Sequence, residues 1–535
     1  MVEKDKAEKI VEIRNVSFQY ENGVQDAAAI NNVSLQVERG ECILLTGISG
    51  CGKTTILRLM NGLIPHYHAG SFSGEIKICG ENVSDKPIYE ISKKASTVLQ
   101  NPKSQFFNLD TTSEIVFFLE NMGTPFEKMH ERLTEVSNFL GIKHLLDRSI
   151  FQLSGGEKQM IAIASALASD TDILLFDEPT SNLDVSYIEK IAAVLKRLKE
   201  AGKTLIISEH RLYFLKDVID RALIIKDGKI AQTFSANEFS SLTEDERKQL
   251  LLRPINFESN VFCKPKNHKT ETFENGSDEG SEKNLNDKNT ELCTELYIKN
   301  LRYRFPKEKI NTIEIENLKL EFGKVIALAG KSGQGKTTFA HCLAGLTKGN
   351  KDAVFFSGKT CTSKTSESKK LSSKKLSAKK RLTFSYIVMQ DVGYQLFTES
   401  VADELELGKN KTDSSIDIEQ ILSALCLTEL KDRHPLSLSG GQKQRVSIGA
   451  AVSSGARILI FDEPTSGMDY FHMKETAELI NSIRSPEKLI LIISHDFEFL
   501  SLVADELLLM EDGKIISQNP FTESEAEKTF EYLKA

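Results

Sequence analysis

The chain has 535 residues, which at roughly 150 residues per domain allows two to four domains. Of these, 40% are hydrophobic and 27% charged, values ordinary for a soluble globular protein with real cores. Lys+Arg 68 against Asp+Glu 76 leaves a net charge of -8, which argues against a protein that mainly coats nucleic acid.

In chain order, ECILLTG at 41–47 reads as a buried strand feeding a Gly-rich loop, and KTTILRLMNGL continues as a helix. DILLFD (172–177) and TLIIS (204–208) are short strands rich in branched residues, the type buried in parallel sheets. A polar stretch at about 260–293, within a linker expected over 251–294, is poor in large apolar residues and reads as flexible. About 40 flexible residues span roughly 35 Å, enough reach for the two flanking halves to pack face to face. VIALAG, RILIFD and LILIIS then repeat the strand pattern. Strands alternating with helices imply an α/β fold with a largely parallel core. The run KTCTSKTSESKKLSSKKLSAKKRL at 359–382 interrupts the second half. It reads either as a solvated loop or as a basic tether to anionic lipid or a partner.

The chain is a duplication. GISGCGKTT, starting at Gly47, recurs as GKSGQGKTT starting at Gly330, 283 residues on. LSGGEKQ at 153 recurs as LSGGQKQ at 438, and Asp177 and His210 recur as Asp462 and His495, each 285 residues on. So steady an offset means one unit copied twice, with domains at 8–250 and 295–535, far longer than a solenoid repeat. No apolar run approaches the roughly 18 residues needed to cross a bilayer, and MVEKDKAEKIVEIRN lacks the apolar core of a signal peptide. Val2 and the terminal EYLKA carry no lipidation motif. The eight cysteines form no C-x-x-C pair, so a reducing, cytoplasmic setting is expected.

Gly47–Thr54 and Gly330–Thr337 both fit G-x-x-x-x-G-K-[ST]. Gly47, Ser49, Gly50 and Gly52, with Gly330, Ser332, Gly333 and Gly335, would let backbone N–H groups close on phosphate oxygens at a helix N-terminus. Lys53 and Lys336 can neutralise the β- and γ-phosphates, and the hydroxyls of Thr54 and Thr337 can hold Mg²⁺. Thr55 and Thr338 complete the two loops. Asp177 and Asp462 end apolar strands, where a Mg²⁺-orienting carboxylate is expected. Glu178 and Glu463 follow. If the chain turns at the strand end, both carboxylates can face one nucleotide, making these glutamates candidates for the base that activates water. LSGGE and LSGGQ each precede a helix, KQMIAIASALAS or KQRVSIGAAVSS, with Ser154 and Ser439 as N-caps. His66 and His68 in IPHYHAG have no further ligand cluster nearby and read as an ordinary loop.

Taken together, the phosphate loop, LSGG-[EQ], apolar-DEP, SNLD (181–184) or SGMD (466–469) and a downstream His resemble the ATP-binding-cassette ATPases. The resemblance covers nearly the whole chain outside the linker and the Lys/Ser run. It implies two P-loop NTPase domains, each with a mainly parallel core sheet, an antiparallel β subdomain and a helical subdomain. It also implies a head-to-tail sandwich of the two cassettes within one chain. Lys53 would then be completed by Ser439 and Gly441, and Lys336 by Ser154 and Gly156. His210 and His495 would sense the γ-phosphate. Gln100 and Gln390 would touch Mg²⁺ and the water and relay nucleotide state to a membrane partner. Tyr20 and Phe305 match the aromatic that stacks on adenine, or else are core strand residues. Glu157 stands where Gln is commoner, and Arg211 where many cassettes have Asp, as at Asp496. Neither change takes away a group that holds phosphate, so both sites look complete.

QNPKSQFFNLDTTSEIVFFLENMG and QDVGYQLFTESVADELELG are similar to the Gln-loop segments of energy-coupling-factor transporter ATPases. That resemblance implies a motor at the cytoplasmic face of the membrane. Its partners would be a transmembrane coupling subunit and a small substrate-binding membrane subunit, importing a vitamin, a vitamin precursor or a metal ion. Phe106, Phe107, Leu109, Leu396 and Phe397 form an apolar stripe suited to a docked coupling helix, or else are core. The alternative is a soluble tandem cassette protein acting on ribosomes or nucleic acid. The short polar linker, the lack of zinc modules or coiled coils and the acidic charge weigh against it, and no nucleic-acid partner is expected.

Overall fold

The computed structural model describes residues 8–21, 29–256, 292–306, 310–347, 353–359, 374–409, 417–438 and 440–534. The chain divides into two compact units, Met1–Glu258 with Ser466–Met473 and Lys534–Ala535, and Ser259–Thr465 with Lys474–Leu533.

In the first unit, Cys42–Thr46, Ile173–Asp177 and Thr204–Ser208 are buried along their whole length, as continuous apolar runs require when helices or a second sheet cover both faces. They lie in a six-stranded sheet ordered Lys229–Ser235, Arg221–Lys226, Cys42–Thr46, Thr204–Ser208, Ile173–Asp177, Ala95–Val98. All neighbours are parallel except the first pair, a hairpin. Alternate side chains feed two cores. Ile43, Leu45, Ile173 and Leu175 face a core shared with Ile13, Leu35 and Leu57. Cys42, Leu44, Leu174 and Phe176 face a core shared with Ile161, Leu195 and Leu215. Each such fully buried side chain contributes about 1.5–3 kcal/mol. Lys9–Tyr20, Ile30–Glu38, Gly70–Ile78 and Glu81–Asn82 form a separate antiparallel sheet. The helices Thr111–Asn121, Phe126–Leu140 and Gly155–Ala168 pack together as a helical subdomain.

The second unit repeats this plan. Its six-stranded sheet runs Ser385–Val388, Ile458–Asp462, Leu489–Ile493, Val325–Ala329, Glu506–Glu511, Lys514–Pro520. Its antiparallel sheet holds Ile313–Glu321, Leu292–Tyr303, Val354–Lys359 and Lys374–Lys375. Its helical part comprises Val401–Leu407, Ile418–Ala424 and Gly440–Ser453.

The α/β plan with parallel cores matches the expectation, and details differ at element ends. The signature helices begin at Gly155 and Gly440, inside LSGG rather than after it. Ser154 and Glu157 explain this in the first unit: they form a reciprocal capping box that starts the helix at the glycines. Packed structure runs past 250, because Leu252 and Ile255 are buried. Of the expected linker, residues 257–291 lie outside the described residues, and the strand Leu292–Tyr303 begins before its expected end. Of the Lys/Ser run, 360–373 lies outside the described residues. Its last part forms the helix Ala378–Phe384, capped by Ser377 and anchored by buried Leu376 and Arg381. No helix among the described residues is long and apolar enough to cross a membrane.

Candidate functional site

Each phosphate loop joins a fully buried strand to a helix, Lys53–Met60 or Lys336–Ala344. The helix N-caps are Gly52 (φ 111) and Gly335 (φ 97), and neither helix has a side-chain cap. First-turn N–H groups are therefore left for an anion. Gly47 and Gly330 admit no side chain, because a Cβ would lie 2.2 Å from the Ile225 carbonyl oxygen or 2.4 Å from that of Met510. Ser49, Gly50, Ser332 and Gly333 are exposed on the loops. Lys53 is buried, and its Nζ donates to the carbonyls of Gly47 (3.1 Å) and Ile48 (3.0 Å). Lys336 does the same with Gly330 (2.6 Å) and Lys331 (3.0 Å).

Thr54 Oγ1 donates to Asp177 Oδ1 at 3.2 Å, and Thr337 Oγ1 to Asp462 Oδ2 at 2.7 Å. Burial raises the pKa of both aspartates, and neighbouring Glu178 raises that of Asp177 further. A hydroxyl beside a poorly solvated carboxylate is a hard-oxygen donor pair, and it fits Mg²⁺. The chain does turn at the strand ends: Glu178 and Glu463 adopt φ 46 and 49, left-handed values rare outside glycine. Their N–H groups donate to Ser208 and Ile493 carbonyls, both at 2.8 Å. In the first unit Gln100 Nε2 donates to Glu178 Oε2 at 2.6 Å, and His210 Nε2 lies 3.3 Å from Glu178 Oε1. In the second, His495 Nε2 lies 3.5 Å from Glu463 Oε1, and Ser494 Oγ donates to Glu463 Oε2 at 3.3 Å. Gln390 sits exposed just beyond Ser385–Val388.

Ser154 caps its helix, and Gly156 presses on the Tyr187 ring, where an added Cβ would meet ring carbons at 2.3–2.5 Å. Gly441 lies in the first turn of Gly440–Ser453, and Ser439 lies outside the described residues. Tyr20 is half-buried, edge-on to Phe18 and His68, and its hydroxyl accepts from Arg58 (3.0 Å) and bonds the Thr55 hydroxyl (3.3 Å). Phe305 is 39% exposed and edge-on to Tyr303, and Thr338 is half-buried behind its phosphate loop. His66 ends the short helix Leu63–His66 rather than lying in a loop, and its Nε2 bonds the Val83 carbonyl oxygen at 2.8 Å.

The apolar stripe is corrected in part. Phe106 packs on a core of the first unit, and Leu396 is buried in a core of the second. Their neighbours Phe107 and Phe397 are 76% and 77% exposed. Leu109 is also exposed. Near Phe397 a groove of about 400 Å³ is lined by Leu346, Leu382, Met389, Tyr394, Phe397 and Leu407, among others. Reasoning from the sequence missed the parts that hold this segment. Gln105 Oε1 accepts from the Leu99 N–H (3.1 Å), and Gln395 Oε1 from that of Met389 (2.7 Å). Buried Glu114 accepts through Oε2 from the N–H groups of Phe107 (2.9 Å) and Asn108 (2.8 Å). Buried Glu404 does so from Phe397 (2.9 Å) and Thr398 (3.0 Å). The repeat held the signal: Gln at 5 and Glu at 14 positions after the first Gln occur in both halves.

The loops, paired carboxylates and signature helices, present twice, define a nucleotide-hydrolysing fold. The chain matches the ABC transporter family over residues 30–181 and 313–466 and belongs to it. It is thus an ABC ATPase, with two ATP-binding cassettes in one chain. A Treponema denticola protein with the provisional name ABC transporter ATP-binding protein is 41% identical over 510 residues, 95% of this chain and 97% of its own. A Saccharolobus solfataricus protein of similar provisional name is 31% identical over 525 residues, covering 95% and 93%. The archaeal ribosome recycling factor aABCE1, solved with the ribosomal stalk protein aP1, aligns over 97% of this chain and 92% of its own at TM-score 0.59. Its identity is 21%, and that likeness speaks to the fold alone.

Proposed function

We propose that the chain is the ATP-hydrolysing motor of a membrane importer of the energy-coupling-factor type, working through separate membrane subunits. The observation that carries this is the exposure of Phe107, Leu109 and Phe397 on segments clamped directly after Gln100 and Gln390. Solvent-facing aromatics held on rigid backbone suit the anchoring of a partner helix. In this reading Lys53 and Lys336, with the uncapped helix N-termini, hold the phosphates. Thr54 with Asp177, and Thr337 with Asp462, hold Mg²⁺, which supplies charge neutralisation at the transferring phosphoryl group. Glu178 and Glu463 accept a proton from water, and His210 and His495 sense the γ-phosphate. Gln100, bonded to Glu178, links the base to the exposed segment. Tyr20 and Phe305 would stack on adenine, and Ser154, Gly156, Ser439 and Gly441 would complete the opposing cassettes' sites in a sandwich formed within one chain.

Phe107→Ser with Phe397→Ser should move the chain from the membrane to the soluble fraction, while basal ATPase activity persists. Phe106 and Leu396 are left intact because they are core. If instead deletion of 360–373 alone releases the chain in low salt, lipid tethering replaces this reading. Co-sedimentation with ribosomes rather than membranes would refute it in favour of a soluble role.

A further inference from the structure

Each cassette ties the segment carrying its glutamate to the segment carrying its histidine, and the two cassettes use different residues to do so. In the second unit, Asp496, the residue after His495, accepts from Thr465 Oγ1 at 3.0 Å. Its other oxygen accepts from the Phe499 N–H at 3.2 Å and caps the helix Phe497–Val503. Thr465 follows Glu463 by two residues, so this bond fastens the ends of two neighbouring strands across which Glu463 and His495 face each other.

In the first unit the position of Asp496 is held by Arg211, and the tie cannot be made there. Instead the residue before the histidine, Glu209, is a buried carboxylate. Its Oε1 accepts from the Thr180 N–H (3.0 Å) and from the Thr180 hydroxyl. Its Oε2 accepts from the N–H groups of His210 (2.7 Å) and Arg211 (3.1 Å). Thr180 is the repeat counterpart of Thr465, and Ser494 that of Glu209. The guanidinium of Arg211 turns to the Leu183 carbonyl at 3.2 Å. Residues 213–218, lacking the aspartate cap, form turns where the second unit has a helix.

We propose that Glu209 is the positioning residue of the first ATP site. From the position before His210 it supplies the tie to the DEPT segment that Asp496 supplies from the position after His495. It thereby fixes the spacing between His210 and Glu178. The proposal rests on His210 acting at the γ-phosphate, as above. The two sites are then chemically distinct in their supports though alike in the groups that face ATP. Burial and the nearby Glu178 push the Glu209 pKa up, and the hydrogen bonds from Thr180 and His210 oppose that push.

The test is an exchange of designs in the full-length chain. Glu209→Ser should cut turnover about tenfold or more with the KM for ATP nearly unchanged, as expected when a catalytic pair is displaced while the groups that hold phosphate stay in place. Adding Arg211→Asp to it rebuilds the second cassette's arrangement and should restore turnover to within about threefold. Glu209→Gln, which keeps the shape, should also lower turnover, because an amide can accept at only one end. Binding of a fluorescent ATP analogue and the melting temperature report folding. Unchanged turnover in both Glu209 variants overturns the proposal, as does a folded, ATP-binding double variant no better than Glu209→Ser. His210→Ala separates the layers. If it leaves turnover intact, the reading of His210 falls and this inference with it. If it abolishes turnover while the Glu209 variants do not, this inference alone falls.

Discussion

Replacing Glu404 by Ala removes the one oxygen on which the N–H groups of Phe397 and Thr398 converge. The Thr398 hydroxyl, which also reaches Glu404, has the Ser400 carbonyl at 2.8 Å as a second acceptor, so it is not stranded. Two half-buried backbone donors remain, and at about 1 kcal/mol each the loss is about 2 kcal/mol. For a unit of this size, that lowers the melting temperature by about 4–8 °C. Glu404→Gln should behave differently. Both backbone bonds end on a single oxygen, and an amide oxygen can take both, so the cost should stay within about 0.5 kcal/mol. Scanning calorimetry of the two variants beside the parent decides the matter. Equal losses for Ala and Gln would refute the clamp, as would an unshifted Ala variant. Glu114→Ala and Glu114→Gln should repeat the pattern in the first unit.

Glu178→Gln and Glu463→Gln should each lower steady-state ATPase turnover about a hundredfold or more. Full activity in one with none in the other would contradict two equivalent sites. Asp177→Asn should abolish Mg²⁺-dependent hydrolysis yet raise the melting temperature at pH 7. Its folded pKa lies above the ordinary value, so the charged form destabilises the fold above that pKa, and the penalty vanishes as pH falls to the unfolded value. The gain should shrink over that acid window, and a gain independent of pH would refute it. Gly156→Ala should cost about 1–3 kcal/mol through collision with Tyr187, and Tyr187→Ala should relieve it, whereas Gly155→Ala has open space and should be nearly neutral. The ATP-loaded Glu178→Gln/Glu463→Gln chain should remain one chain per sandwich by light scattering, and ATP-driven pairing of chains would refute that.

The parallel cores were legible because each central strand is a continuous apolar run between punctuating motifs, and because each appears twice. The phosphate loops, Thr54, Asp177 and their counterparts stood out by spacing alone. Side-chain direction was less accessible: Phe106 and Phe107 are adjacent aromatics, and only the backbone path decides which faces the core. Local capping was likewise hidden, since Glu157 looked like a departure from the motif until its bond to the Ser154 N–H (2.7 Å) showed it closing a capping box. Glu209 escaped notice for the same reason. Its partners are backbone groups and a threonine 29 residues away, which no linear pattern displays.

The phosphate-loop lysine Lys53 is held only by carbonyl oxygens of its own loop and by the Cys51 thiol, with no carboxylate in salt-bridge reach among the described residues. Its charge is therefore steered but not cancelled. An arriving polyanion breaks no ion pair of Lys53 to reach it, and displaces only the Asp469 carboxylate that accepts from the Ser49 N–H at 2.5 Å. Capture of nucleotide by this cassette should accordingly be fast in dilute buffer and slow markedly as ionic strength rises. Simple inorganic polyanions such as pyrophosphate should compete for the same cradle without needing an adenine ring.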